Sequence, residues 1–321
     1  MEVLDNVFIQ SLAVIGATLL LWRGADTMVD AVAHIARVHN ISELVIGLTL
    51  VAFGTSAPEM AVSIGAALNG QADISVGNIV GSNIFNLGII LGGCAAIRPI
   101  LTSRTLVYRD GIFLLAITLA LGAFISDFTL SRIEGITMFA LLAAYLGFLF
   151  WRKEPFEGEA QAHDDVWLAK KSMWVSYAVA FAGLLMILLG SKLLVFGASG
   201  MARAFGLSDW VIAVTIVAAG TSAPEVVTSL TAAFKGHHGI SAGGLIGSDL
   251  FNLLGVLGVA AMINPLTIAS AGQSSVYVLI GMVAVVIIFM RSGWRVSRPE
   301  GLILLSVNLF RWWFDISGHT V

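Results

Sequence analysis

The sequence predicts an all-α integral membrane protein whose ten transmembrane helices form two inverted five-helix repeats. Three observations lead to this fold class. The 321 residues are 58% hydrophobic and 12% charged, with a mean hydropathy of +0.92, whereas a soluble domain carries roughly twice that charge. Long apolar runs recur along the whole chain. The segment 42–92 also reappears without a gap at 208–258, with 26 identities in 51 positions.

The apolar runs are mostly close to the roughly 20 residues that a helix needs to cross a bilayer. We therefore interpret each run as one helix. The ten runs span residues 7–22, 45–68, 74–97, 111–125, 135–151, 174–191, 210–234, 240–263, 275–290 and 302–314. Charged stretches at 26–37 and 192–203 are expected to extend the first and sixth helices beyond their apolar parts.

The chain is predicted to divide at a polar segment, 152–171, which contains Pro155 and Gly158. Residues 1–151 form the first five-helix repeat, and residues 172–321 form the second. Because each half holds an odd number of helices, the second half enters the membrane in the opposite sense to the first. Such an arrangement is an inverted repeat.

The positions of Lys and Arg predict the orientation in the membrane. Thirteen of them lie in the connections after the first, third, fifth, seventh and ninth helices, and three lie on the opposite face. Since cytoplasmic loops carry the excess of basic residues, both termini are expected outside and the linker 152–171 in the cytoplasm. These features predict a multi-pass protein of the cell (inner or plasma) membrane.

The composition also argues against several functions and partners. The net charge is −3 and no basic patch lies outside the membrane-flanking loops, so nucleic-acid binding is not expected. A single cysteine, Cys94, excludes a disulfide framework within one chain. The serines of the repeats have no matched His or Lys base, so the chain is not expected to be an enzyme. Beyond the lipid bilayer, neither a cofactor nor an obligate protein partner is expected.

The hexapeptide GTSAPE occurs at 54–59 and again at 220–225, inside two of the apolar runs. Glycine and the residue before a proline disfavour a continuing helix, whereas Pro58 and Pro224 suit the first turn of a new one. We therefore expect a broken helix in each copy, with backbone carbonyls freed at the break. Irregular backbone at membrane depth must face protein or a polar cavity. The expected carbonyls are those of Ala52 and Ala218.

Oxygen-bearing side chains surround each break. Glu59 and Glu225 directly follow the prolines, and Thr and Ser hydroxyls lie within one helical turn of them. A second motif, GSNIFN in one copy and GSDLFN in the other, places a serine and an asparagine one turn apart on one helix face. The neutral positions are Thr55, Ser56, Thr221, Ser222, Ser82, Asn86, Ser248 and Asn252.

This set of side chains predicts a cation site. Each carboxylate would cost on the order of several kcal/mol at membrane depth if nothing compensated its charge, and no basic residue matches either one by position. Oxygen ligands without His or Cys suit Ca²⁺, Na⁺ or Mg²⁺, and not zinc or copper. Packing or helix capping remains an alternative for any single Ser or Asn. The acids nearer the helix ends, Asp110, Asp127 and Glu134, are expected to be solvated caps.

The two motifs resemble those of the cation/calcium exchanger superfamily, and most closely its prokaryotic sodium/calcium exchanger branch. GTSAPE is similar to the GTSxPE element of that family, and GSNIFN and GSDLFN are similar to its GSNxxN/D element. The resemblance is close in both repeats and only topological elsewhere. It implies Ca²⁺ and Na⁺ as transported ions and ligands at Thr55, Ser56, Glu59, Ser82, Asn86, Thr221, Ser222, Glu225, Ser248 and Asn252.

One position departs from the family pattern. Many relatives have an Asp where this chain has Asn86 or Asn252, and here an acid stands three residues before the second of these, at Asp249. On an ideal helix Asp249 turns away from Asn252, so either it lines a neighbouring surface or the central site carries only two carboxylates. We expect the second. The absence of the acid implies independence of potassium.

The resulting hypothesis is a secondary active antiporter that exchanges Na⁺ for Ca²⁺ by alternating access, with the first and sixth helices as candidate gates. The proton/calcium branch of the family usually has GNxxE in place of GTSxPE, so sodium is the expected counter-ion. A proton-coupled exchanger of Ca²⁺ or another divalent cation is the first alternative. A passive cation channel, which would need no counter-ion, is the second.

Overall fold

The computed structural model describes residues 2–152, 171–206, 212 and 216–316, and these residues are almost entirely helical. The first half contains α1 Glu2–Val38, α2 Glu43–Thr55, α3 Ala57–Leu68, α4 Ala72–Ile97, α5 Leu106–Asp127 and α6 Arg132–Arg152. The second half contains α7 Met173–Ala204, α8 Ala218–Thr221, α9 Ala223–Lys235, α10 His238–Ile263, α11 Ser270–Arg291 and α12 Arg298–Ile316. The expected extensions of the first and sixth helices are confirmed, because α1 and α7 continue through them.

Seven of the described helices are long and apolar enough to cross a membrane: α1, α4, α5, α6, α7, α10 and α11. The bent pair α2–α3 is an eighth span when it is taken as one. The predicted run 210–234 lies partly on residues outside the described ranges, and its described portion includes α8 and α9. The last predicted run, 302–314, lies within α12.

A helix break lies at each GTSAPE motif. Ser56 separates α2 from α3, and the axes of these helices are bent by 53°. Ser222 separates α8 from α9 at the equivalent place. In both copies the proline lies at the start of the new helix, as the sequence predicts. The next residue, Glu59 or Glu225, therefore lies in a first helical turn, where the helix dipole favours negative charge.

Of the described helices that contain π-helical segments, α4 and α10 carry them at equivalent places. A π-helical segment occupies Asn86–Leu91 within α4, and another occupies Phe251–Leu257 within α10. Each one begins at, or one residue before, the asparagine of the second motif. A π-helical turn holds more residues than an α turn, and it alters which side chains share a face. The expectation for Asp249 and Asn252 assumed an ideal helix, and the helix is not ideal there.

Within the described ranges, two short antiparallel ribbons join the halves, and neither was predicted from the sequence. β1 (Ile100–Leu101) follows α4 and pairs with β4 (Arg295–Val296), which precedes α12. β2 (Thr129–Leu130) precedes α6 and pairs with β3 (Leu266–Thr267), which follows α10. Each ribbon therefore fixes a connection of the first half to a connection of the second by backbone hydrogen bonds.

The buried apolar side chains of the described residues form two clusters. The larger cluster joins α2–α6 to α10–α12, and partly buried side chains of α9 pack against it. The smaller one joins α1 to α7, with a few residues of α2, α9 and α10. Glycines bring α1 and α7 close together: a Cβ on Gly24 would lie 2.8 Å from the Gly183 carbonyl oxygen, and the reverse distance is also 2.8 Å. The pair α1–α7 thus packs mainly on itself, beside the rest of the bundle.

An ion-pair cluster connects α1 to the end of α9. The Lys235 ammonium lies 2.6 Å from a carboxylate oxygen of Asp26 and 2.6 Å from one of Asp30. It also donates to the backbone carbonyl of Asp26 at 3.1 Å. The positions related by the repeat offset of 166 carry Lys192, Phe196 and Asn69. The sequence therefore provides this charge cluster in only one of the two copies.

Candidate cation site

The two glutamates of the GTSAPE motifs lie in the interior of the bundle. Glu59 is 1% exposed and Glu225 is 3% exposed. Each belongs to the first turn of its helix, α3 or α9. Burial and mutual repulsion both penalise two ionised carboxylates, so their negative charge requires a compensating cation or proton.

Each glutamate is held by a hydroxyl from the opposite half of the chain. Ser222 donates to Oε1 of Glu59 at 3.2 Å, and Ser56 donates to Oε1 of Glu225 at 3.3 Å. Interactions of Thr221 with Glu59 and of Thr55 with Glu225 follow the same crossed pattern. The two GTSAPE motifs therefore meet and exchange partners.

The second motif supplies hydroxyls from the same half. Ser248 donates to Oε1 of Glu225 at 3.0 Å, and Ser82 lies 3.5 Å from Oε1 of Glu59. The Ser248 hydroxyl also contacts that of Ser56, and because each hydroxyl has one hydrogen, only two of the three contacts among Ser56, Ser248 and Glu225 are hydrogen bonds at one time. The four serines predicted to be ligands are thus brought around the two carboxylates.

Four buried side-chain oxygens of the site have no hydrogen-bond partner among the described residues. They are Oε2 of Glu59, Oε2 of Glu225, Oδ1 of Asn86 and Oδ1 of Asn252. Buried polar atoms are nearly always paired, so these oxygens indicate a missing partner. Because all four are acceptors of the hard oxygen type, cations such as Ca²⁺ or Na⁺ fit this donor set.

The carbonyl of Ala52 differs from the expectation. It accepts the backbone N–H of Ser56 at 3.1 Å and lies 3.4 Å from the hydroxyl of Thr55. The prediction that the break frees this carbonyl is therefore wrong, because the last turn of α2 still uses it. Ala218 lies at the equivalent position, at the start of α8.

A buried hydrogen-bond network joins the two site asparagines to Asn83 and Asp249. Asn86 donates from Nδ2 to Oδ1 of Asp249 at 3.0 Å, and Asn252 donates from Nδ2 to Oδ1 of Asn83 at 3.0 Å. Asn83 donates in turn to the backbone carbonyl of Asp249 at 3.1 Å. Asn83 was missed in the sequence analysis, although the repeat offset relates it directly to Asp249.

Of the three acids expected to be solvated caps, Asp110 is different. It is fully buried, and its carboxylate lies 2.6 Å from Nε of Arg109 and accepts the hydroxyl of Tyr145 at 2.8 Å. The prediction was wrong because α5 begins at Leu106, so Asp110 faces the bundle from within the helix. Asp127 and Glu134 do lie at helix ends, where they accept backbone N–H groups.

Comparison with known proteins identifies the family. The profile described as "Sodium/calcium exchanger protein" matches residues 9–151 and residues 175–314. The chain belongs to the sodium/calcium exchanger family. The match confirms the resemblance to the prokaryotic branch of the cation/calcium exchanger superfamily. This exchanger is a multi-pass membrane protein of a family of transporters.

Named relatives match the exchanger over most of its length. It is 39% identical to the putative antiporter CaxA of Alkalimonas amylolytica, over 91% of this chain and 93% of that protein. It is 31% identical to the sodium/calcium exchanger MaX1 of Methanosarcina acetivorans, over 89% of this chain and 93% of that protein. The solved structure of the sodium-calcium exchanger NCX_Mj, soaked with 10 mM Na⁺ and zero Ca²⁺, matches with a TM-score of 0.83 and 30% identity, covering 98% of this chain and 99% of that one.

Proposed function

We propose that this exchanger is a sodium/calcium antiporter and that its two repeats bind the transported ions between them. The observation that carries the proposal is the crossed pair of buried glutamates together with four unpartnered buried oxygens, one on each glutamate and one on each site asparagine. The proposed ligands are Glu59, Thr55, Ser56, Ser82 and Asn86 with their counterparts Glu225, Thr221, Ser222, Ser248 and Asn252. Two carboxylates balance one Ca²⁺ or two Na⁺, so the two ions can compete for one site.

The proposed architecture has ten transmembrane helices in two inverted five-helix repeats, 1–151 and 172–321. The bent pair α2–α3 is one span, the run 210–234 is its counterpart, and α12 is the last. The basic residues support a cytoplasmic linker, both termini outside, and a location in the cell (inner or plasma) membrane. Neither a cofactor nor an obligate protein partner is part of the proposal.

Alternating access in this chain would use α1 and α7 as the moving pair. The two ribbons fix the connections of α4, α6, α10 and α12 to one another across the halves, which favours a rigid core. The pair α1–α7 lies in its own apolar cluster and contacts itself through small residues. A sliding movement of this pair past the core would open the cation site to one side of the membrane at a time.

Sodium is the proposed counter-ion. Two named relatives, MaX1 and NCX_Mj, are sodium/calcium exchangers. The site also offers neutral hydroxyl and amide oxygens, which a sodium ion can use as ligands and a proton carrier does not need. The alternative is a proton-coupled exchanger of Ca²⁺ or another divalent cation, in which the glutamates would carry protons instead.

The test is the uptake of radioactive calcium into proteoliposomes that are loaded with sodium, potassium or choline at equal pH on both sides. The proposal predicts uptake with sodium inside and little uptake with potassium or choline. Uptake that ignored sodium and followed an imposed pH gradient would establish the proton-coupled alternative. Equal uptake under every gradient would indicate a passive pathway and contradict both.

A further inference from the structure

The two site asparagines, Asn86 and Asn252, can bind a cation only through Oδ1, because the hydrogens on Nδ2 repel positive charge. An amide group turned by 180° has nearly the same shape, so packing alone does not keep its oxygen toward the site. The residues at positions 83 and 249 form the hydrogen bonds that distinguish the two orientations of each amide. They are equivalent in the two repeats, and both residues are fully buried.

The orientation of Asn252 follows from a carbonyl group. The backbone carbonyl of Asp249 accepts from Nδ2 of Asn83, and a carbonyl can never donate. Asn83 must therefore present its own Oδ1 on the other side, where it accepts from Nδ2 of Asn252. The remaining atom, Oδ1 of Asn252, is buried and has no partner within the described part of the chain.

The orientation of Asn86 follows from a carboxylate. Oδ1 of Asp249 accepts from Nδ2 of Asn86, and an ionised carboxylate only accepts. A proton on Oδ2, which has no partner among the described residues, would still leave Oδ1 an acceptor. Oδ1 of Asn86 is thereby turned away from Asp249, and it is the fourth unpartnered oxygen of the site.

We infer that Asn83 and Asp249 are positioning residues, which hold the amides of Asn252 and Asn86 with their oxygens toward the transported cations. Each amide is held from the opposite half of the chain. This inference rests on the proposed function, because it takes Asn86 and Asn252 as ligands. An aspartate at position 86 or 252 would need no such partner, since its two oxygens are equivalent.

The first test is Asp249→Asn in the purified full-length protein, with Ca²⁺ affinity measured by equilibrium binding of radioactive calcium. The new amide can donate to Asn86 as well as accept from it, so Asn86 no longer has one preferred orientation. We expect the dissociation constant to rise by about tenfold, the scale for one lost hydrogen bond to a charged group. The elution profile and melting temperature should stay close to those of the unsubstituted protein.

Two double variants of equal charge separate the effect of amide orientation on Ca²⁺ affinity from the effect of total charge. Adding Asn86→Asp to Asp249→Asn removes the amide that needs orienting, whereas adding Asn252→Asp restores the same total charge and leaves Asn86 unheld. We expect the first double variant to recover Ca²⁺ affinity and the second to stay weak. Equal recovery by both would overturn the inference in favour of a charge effect, as would unchanged binding in Asp249→Asn alone.

The opposite half offers a second test that changes no charge by itself. Asn83→Ala removes the group that holds Asn252, so the Ca²⁺ affinity of this variant should be lower than that of the unsubstituted protein. Adding Asn252→Asp to Asn83→Ala should restore the affinity better than adding Asn86→Asp does. This test remains usable if Asp249→Asn does not fold. Failure of the proposed function would look different: the unsubstituted protein would bind Ca²⁺ without any sodium-driven uptake.

Discussion

The hydroxyl of Ser222 donates to Oε1 of Glu59 across the boundary between the two halves of the chain, at 3.2 Å. Ser56 and Glu225 repeat this contact at 3.3 Å with the halves exchanged. Neither carboxylate is therefore held by its own repeat alone. A cation between the two glutamates would contact both halves at once, and its release would remove a contact from each half.

Glu59→Gln and Glu225→Gln should each abolish calcium exchange. Glutamine has nearly the same shape, and its Oε1 still accepts the serine hydroxyls, so the fold should persist while one of the two balancing charges is lost. The measurement is sodium-driven uptake of radioactive calcium in proteoliposomes, with size-exclusion elution as the check on folding. Glu134→Gln is the matched control, because glutamine can still accept from Ser131 at the helix start. Full exchange in either site variant would contradict the proposed site.

Ser222→Ala and Ser56→Ala should weaken calcium transport without abolishing it. Each substitution removes one hydroxyl that donates to a buried carboxylate, and such a bond is worth about 1.5–3 kcal/mol. The half-saturating Ca²⁺ concentration should rise by roughly tenfold or more. Ser56→Ala should have the larger effect, since the Ser56 hydroxyl also contacts that of Ser248. Ser274→Ala, an exposed serine whose hydroxyl bonds a carbonyl of its own helix, should match the unsubstituted protein.

Gly24→Ala should destabilise the pair α1–α7. The added methyl group would lie 2.8 Å from the backbone carbonyl of Gly183, and backbone cannot turn away as a side chain can. Forced overpacking of this kind costs about 1–3 kcal/mol, so the melting temperature in detergent should fall. Gly147→Ala is the control, because a Cβ there meets no described atom within 4 Å. Equal melting temperatures for the two variants would mean that α1 and α7 are not in this close contact.

Arg109→Met should lower stability while transport per folded molecule is retained. The substitution takes the guanidinium away from the fully buried carboxylate of Asp110. Loss of one partner of a buried ion pair costs about 3–5 kcal/mol. The double variant Arg109→Met with Asp110→Asn should recover much of the melting temperature, because no charge then stays buried. A double variant no more stable than the single one would show that the charge is not the cause.

Lys235→Met should change the balance between the two access states. The ion pairs with Asp26 and Asp30 exist in the described conformation, and the repeat-related positions cannot form them. Partly exposed pairs are worth up to about 1 kcal/mol each, which corresponds to a several-fold shift in population. In oriented vesicles, the half-saturating Ca²⁺ concentration should change in opposite directions at the two membrane faces. Asn69→Met, at the repeat-related position, should change neither, and parallel changes at both faces would contradict the prediction.

The local features of the site could be predicted from the sequence. The breaks at Ser56 and Ser222 follow from glycine and proline, whose effect on the backbone acts within a few residues. The oxygen-rich character of the site also follows, because the repeat places the same acids and hydroxyls in both copies. Duplication made these predictions stronger than either copy alone would have allowed.

The contacts between distant residues could not be predicted in this way. The crossing of Ser222 to Glu59 depends on how two helix breaks meet, and no local preference specifies that meeting. The hydrogen-bond partner of Asp249 could not be predicted either, because Asn86 lies in the other half of the chain. A nearby π-helical turn also alters which side chains share a helix face. The burial of Asp110 was missed because helix starts are less certain in sequence than helix interiors.

The crossed contacts also have a consequence for the order of synthesis. A ribosome completes α3 long before it reaches Ser222. The nascent first half therefore contains Glu59 without the hydroxyl that later donates to it. The last of the proposed ligands along the chain, Asn252, lies in α10, in the second half. The proposed cation site is therefore completed only when the second half has been synthesised, and until then Glu59 lacks the hydroxyl that later donates to it.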